Sequence, residues 1–176
     1  MNTSLPPAAI DSPDMRSAGH EMLSLALMDA RNHTLQLLGR YESALAQGLG
    51  IAPAGGMEPP LWIAGFIGWW AERWIGRNPR RGDGPRSPAD GLRLPSALPD
   101  ADAYFDPAVV APADRWRTDL PDSQTLRAWL LDTLEGTQDL LEKAEETDDG
   151  LHLFRAALFH DDARGDQLVM IAQSPG

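Results

Sequence analysis

Apolar positions recur along this chain at the three-to-four spacing of helices rather than in the alternation of strands. Leu23, Leu27, Ala30, Thr34, Leu37, Tyr41 and Ala44 form one stripe. They predict a first helix from about Asp14 to Gln47, capped by Ser12 or Asp14 and closed by Gly48 and Gly50. A second helix is expected from about Pro60 to Arg77, because Pro59-Pro60 suits a helix start and Asn78-Pro79 a stop. Its Leu61–Trp70 stretch is apolar nearly all round, which requires burial or a covering partner. Gly65 and Gly68 each cost this helix about 1 kcal/mol relative to alanine, so another segment should approach closely there.

A third helix is expected from Asp122 or Ser123 to about Thr147. Leu126, Leu130, Leu134, Leu141 and Ala144 form its buried stripe, and Glu135, Asp139, Glu142, Glu145 and Glu146 its wet side. Asp148-Asp149-Gly150 then reads as a tight turn, and a fourth helix runs from about Leu151 to Gln173. The short connection predicts that helices three and four are antiparallel neighbours. The fold class is therefore all-α, an antiparallel four-helix bundle over residues 14–173. Residues 1–13 read as a flexible leader, and 174–176 as a linker start or chain end.

The segment 78–121 breaks this pattern. It is rich in proline and glycine, basic at first (Arg77, Arg80, Arg81, Arg86, Arg93), then carries Tyr104, Phe105 and Val109, where a short helix can pack on the bundle. A loop this long inside a small domain is either functional or mobile.

Composition narrows the chemistry. The chain has no cysteine, which excludes disulfides, thiolate metal sites and cysteine nucleophiles. Its formal net charge of -11 disfavours nucleic acid and anionic membrane surfaces as partners. The longest apolar run, Leu61 to Ala71, falls far below the roughly 20 residues of a membrane span. Met1 to Asp14 has neither the basic nor the apolar region of a signal peptide, so a cytoplasmic location is expected.

Leu153, Ala157, His160, Arg164, Leu168 and Ile171 share one face of the fourth helix, which points an imidazole and a guanidinium the way core residues point. A charge there needs a partner. Either the pair lines the bundle rim against a carboxylate from another helix, or it marks a ligand pocket at the bundle centre. Trp62, Trp69, Trp70 and Trp74 are either plain core or a cage for a quaternary ammonium group.

Two runs carry a family resemblance. Pro60-Leu61-Trp62-x-x-Gly65-Phe66-x-x-Trp69, followed by Glu72 and Arg77-Asn78, resembles the second-helix motif of the DinB-like domain of ergothioneine and selenoneine synthases, Pro-x-Trp-x-x-Gly-His-x-x-Trp. Leu158-Phe159-His160-Asp161-Asp162-Ala163-Arg164-Gly165-Asp166 is similar to that family's fourth-helix run, Leu-x-His-Glu-x-x-His-Gly-Glu. The resemblance covers nearly the whole chain. It implies a DinB-like fold, non-haem iron(II) held by three histidines, and O2-dependent C–S or C–Se bond formation on trimethylhistidine. It further implies a C-terminal catalytic domain resembling formylglycine-generating enzyme, joined by a linker beginning after Gln173.

Of the three ligand positions only His160 keeps its histidine; Phe66 and Arg164 replace the other two. Phenylalanine has no lone pair to give and arginine stays protonated, so this chain alone is expected to hold no cofactor and to be inactive. His33 is a further metal-ligand candidate at the edge of the first stripe. Arg115 and Arg117 fall near the arginines that, in the family, contact the thiol substrate's carboxylate; otherwise they are a solvated loop pair. The resemblance implies substrate-binding roles for Arg115 and Arg117, and the ammonium-cage reading gives substrate-binding roles to Trp62 and Trp69. The alternative function is a non-catalytic helical-bundle interaction or dimerisation module, with the apolar second helix as a homodimer or partner interface. A DinB-type thiol-transferase relative using another divalent metal is a third reading.

Overall fold

A computed structural model describes residues 13–53 and 56–173; all but the last residue of the leader expected over 1–13, and the chain end 174–176, lie outside them. Among the described residues the protein is all-helical, a helical bundle overlaid by a long irregular segment. A 3-10 turn, Pro13–Ser17, precedes α1, His20–Ala46. Helix α2 is Pro60–Ala71, extended by a π turn, Glu72–Gly76. Helix α3 is a single short turn, Ala101–Phe105. Helices α4, Ser123–Lys143, and α5, Asp148–Gln173, complete the bundle. No described helix is long and apolar enough to cross a membrane.

Local chemistry sets the helix ends. No side chain at Gly19 caps α1; instead Glu146, from the turn before α5, accepts the His20 N–H at 3.2 Å. Gly48 closes α1 at φ 78, with Leu49 N–H on the Ala44 carbonyl and Gly48 N–H on that of Leu45, a Schellman closure. Asp122 caps α4 through the Thr125 N–H at 2.7 Å. Asp148-Asp149-Gly150 is not a separate turn, contrary to expectation. The Thr147 hydroxyl accepts the Gly150 N–H at 3.0 Å, so α5 begins at Asp148 with two acids in its first turn, where the helix dipole favours them.

Cross-helix bonds fix the directions. From Ser24 to Leu35, α1 meets Gln138, Leu130 and Arg127 of α4 in descending order, so these two are antiparallel. Ala18 and Arg31 meet Arg155 and Asp161 in ascending order, so α1 and α5 are parallel. Helices α4 and α5 touch only sparsely, which corrects the expectation that they are neighbours. Helices α1 and α2 lie between them, because α1 packs on both and α2 needs cover on every side.

That cover is what the 78–121 segment supplies. Asp102, on α3, accepts both Arg77 guanidinium nitrogens at 2.8 and 2.9 Å and the Trp69 indole N–H at 2.7 Å. The Trp62 indole donates to the Tyr104 carbonyl at 2.9 Å. Phe105 is fully buried, and its ring lies where a Cβ on Gly65 would stand, while Trp129 and Leu130 of α4 crowd Gly68. The glycines thus admit α3 on one side of α2 and α4 on the other. The segment's basic residues are used internally: Arg93 donates to the Arg73, Gly91, Leu92 and Pro88 carbonyls, and Arg86 pairs with Asp149. Of the large apolar side chains in α2 and its π turn, only Leu61, Trp70 and Trp74 are not fully buried.

Candidate functional site

Phe66, His160 and Arg164 meet where α2 and α5 face each other. Phe66 and Trp70 stand four residues apart on α2, and His160 enters between them from α5. The imidazole stacks on Trp70 with centroids 4.9 Å apart and an 18° tilt. The Phe66 ring meets it edge-on at 5.0 Å. The Arg164 guanidinium carbon lies 4.8 Å from the Phe66 centroid, within cation–π range. On the far side, Trp62 stacks on Phe66 at 4.8 Å, and Arg115 lies over Trp62 at 3.9 Å.

One carboxylate joins the two arginines. Glu58, in the turn just before α2, takes Arg115 on Oε1 and Arg164 on Oε2, the latter at 3.1 Å. Arg164 also donates to Gln167 at 2.7 Å. All three charged side chains are largely withdrawn from water, at 16% exposure for Glu58, 11% for Arg115 and 28% for Arg164. Burial holds both guanidinium groups below their ordinary range, and Arg164 adds to the effect at Arg115. One buried and one half-buried cation thus share one anion, and Arg115 Nε is buried with no acceptor.

His160 is unsatisfied too, as is the neighbouring Asp161 Oδ1. The His160 side chain is 14% exposed, and neither ring nitrogen has a hydrogen-bond partner. Nδ1 lies 3.9 Å from Asp161 Oδ1, too far for a hydrogen bond. Burial pushes the imidazole below its ordinary range, against the weaker pull of Asp161 and with the help of Arg164 and Arg31. The ring is therefore neutral at pH 7, with a lone pair on one nitrogen. Asp161 turns its other oxygen to Arg31, which is itself buried and also donates to the Leu130 carbonyl and the Thr133 hydroxyl at 2.7 and 2.8 Å.

The remaining expected residues divide clearly. Arg115 joins the site. Arg117 does not: it pairs with Asp119 and the Ala103 carbonyl beside Tyr104. Trp62 is a wall of the site, and its face is taken by the chain's own Arg115 guanidinium. Trp69 stacks on Phe66 at 5.7 Å and is otherwise committed to Asp102. His33, the further metal-ligand candidate, stands apart from His160. It is exposed and lies beside Gly165, on the α1 side of α5, while His160 faces α2.

Iron(II) does not fit these residues. An aromatic ring and a guanidinium stand beside the single imidazole, and Glu58 is neutralised by two arginines. Among the described residues no three histidine, aspartate or glutamate side chains are placed to share a metal ion. Elsewhere, a cavity of about 310 Å³ opens between the π turn, Ser96 and Thr133 of α4. Its buried carboxylate, Glu72, is already engaged by the Ser96 hydroxyl, the Ala97 N–H and the Trp129 indole.

Glu58 and Arg31 are the functional-looking residues that periodicity misses. Glu58 lies outside any helix and has no register; its one signal is an acid directly before a Pro-Pro helix start. Arg31 is a charge set among the apolar positions of the first stripe. No protein-family model matches the chain, and no curated protein matches it either.

Proposed function

We propose that the chain is a DinB-like four-helix bundle related to the N-terminal domain of ergothioneine and selenoneine synthases, with its metal site rebuilt as an arginine–carboxylate–aromatic site. In this role it contributes a pocket wall and a domain interface to C–S or C–Se bond formation carried out with a catalytic partner domain. The observation that supports the reading is convergence. The three positions that align with iron ligands come from two helices far apart in sequence, yet their side chains touch. Arg115, aligned with substrate-carboxylate arginines, reaches the same spot through Glu58.

The chemistry open to the site follows from its groups. The arginine pair holds an anion. The stacked rings exclude water and fix the imidazole plane. The neutral imidazole accepts one proton. Iron(II) in the family supplies O2 activation, and none of the described residues at this site replaces it.

Anaerobic calorimetry with iron(II) tests the reading. The wild-type chain should give no saturable heat. Phe66→His with Arg164→His should create a 1:1 site, because three imidazoles would then meet where Phe66, His160 and Arg164 meet now. A folded double variant without metal affinity would reject the alignment of both helices.

A further inference from the structure

We infer that the cavity between the π turn and α4 is a binding site for a small primary ammonium ion, held by Glu72. The cavity opens toward α4, whereas Phe66 and Trp70 face His160 on α5. The inference therefore stands apart from the rebuilt site and shares none of its residues.

Missing side chains keep the cavity open. Its volume, about 310 Å³, lies at the lower end of the range for small-molecule pockets. Gly136 lines it from the interior of α4, where glycine is unfavourable relative to alanine. At Gly65 and Gly68 that cost is offset by close approach of a neighbour, but a Cβ at Gly136 would meet nothing within 4 Å. Gly76 also lines the cavity, and a Cβ there would meet only Glu72 Cγ, at 3.8 Å. The π turn puts Glu72 in place: the Arg77 N–H bonds the Glu72 carbonyl, five residues back, at 2.6 Å. Such turns are rare and frequently mark functional sites.

A count of donors and acceptors selects the ligand. Glu72 is 8% exposed, and its partners are all neutral donors: the Ser96 hydroxyl, the Ala97 N–H at 2.9 Å and the Trp129 indole at 3.3 Å. A carboxylate accepts about four hydrogen bonds, so one position, on Oε2, remains. Arg77 also lines the cavity but is committed to the Leu94 carbonyl and to both oxygens of Asp102. Glu72 is thus a buried charge with no counter-charge in contact among the described residues, a costly state that a bound cation relieves. The hydroxyls beside it have also used their protons: Thr133 donates to the Leu130 carbonyl at 3.1 Å and Thr137 to the Thr133 carbonyl at 2.7 Å. Asp132, exposed at the rim, adds a second negative charge. The lining side chains therefore offer acceptors and negative charge, and each of their donor atoms already donates. A primary ammonium brings positive charge and three N–H groups. A quaternary ammonium brings the charge but no N–H, and an anion is repelled. Leu94 and Pro95 give a short alkyl chain an apolar wall.

The test follows the Trp129 indole N–H by NMR at pH 7 and matched ionic strength. n-Butylammonium should shift it saturably; butyltrimethylammonium, butyrate and sodium chloride should not. Glu72→Gln should weaken n-butylammonium binding at least about tenfold, because the counter-charge is gone. Gly136→Leu, a better helix former that fills the space, should abolish binding while the Trp62 indole resonance stays in place. Should Glu72→Gln fail to fold, Gly136→Leu decides alone. An indole resonance that ignores n-butylammonium overturns the inference. So does one that responds equally to butyltrimethylammonium or to sodium, or binding that survives either substitution.

Discussion

At the scale of single residues, the buried ionisable groups tie stability to pH in separate windows. His160 titrates lower in the folded protein than in the unfolded chain, so protons favour unfolding. Its contribution is complete above the ordinary imidazole value of about 6.5 and is lost as pH falls below it. Denaturation of wild type and His160→Gln at pH 7.5 and 5 should show a larger acid loss for wild type; identical losses would contradict a buried neutral imidazole. Asp102 behaves differently. Arg77, helped by the Trp69 indole, lowers its carboxyl to about 2 from an ordinary 3.8. That stability is present above the unfolded value and lost as pH falls toward the folded one. Because Asp102 is 45% exposed, solvent screening reduces the expected cost of Asp102→Asn to about 1 kcal/mol at neutral pH. The loss should vanish near pH 2, which urea titrations at the two pH values would show.

At the scale of elements, α2 is where packing overrides propensity. A helix holding two glycines in twelve residues is poor locally, and it persists because α3 and α4 occupy the missing side-chain space. Gly65→Ala should lower stability by about 1–3 kcal/mol, since the Phe105 ring has no room to retreat. Gly136→Ala, on the exposed side of α4 with nothing near its Cβ position, should raise stability by up to about 1 kcal/mol. Opposite signs for the same substitution, read from thermal midpoints, would confirm that α2 is held by close approach. The sequence made the main helices legible because Leu and Ala stripes repeat at helical spacing. It also exposed the need for contact at Gly65 and Gly68. The start of α5 was not legible, because Thr147 acts through one hydroxyl bond that Asp-Asp-Gly turn chemistry obscures. The order inside 78–121 was equally hidden, since it rests on Asp102, Arg77 and Arg93 reaching partners 16 or more residues away in most cases.

At the scale of the whole molecule, a buried long-range pair connects the bundle. Arg31–Asp161 links α1 to α5 in the interior, at side-chain exposures of 2% and 1%. Arg31→Met strands the Asp161 carboxylate and should cost about 3–5 kcal/mol. Arg31→Met with Asp161→Leu should recover much of that, and a double variant as unstable as the single would show that the pair itself stabilises the fold. The candidate site, formed where α2 meets α5, was partly legible: spacing put His160 and Arg164 on one face, and the family motif put Phe66 opposite. Glu58 was invisible to both, because a loop carboxylate finds its partners only through tertiary structure.

The most direct test of this account is a nuclear Overhauser measurement on the wild-type chain, read at the His160 ring protons. We expect cross-peaks to the Phe66 and Trp70 rings, with the imidazole protons shifted by ring currents from both. His160 protons at solvent-like shifts, with no cross-peak to either ring, would mean that α2 and α5 do not meet there, and the rebuilt-site reading would fall.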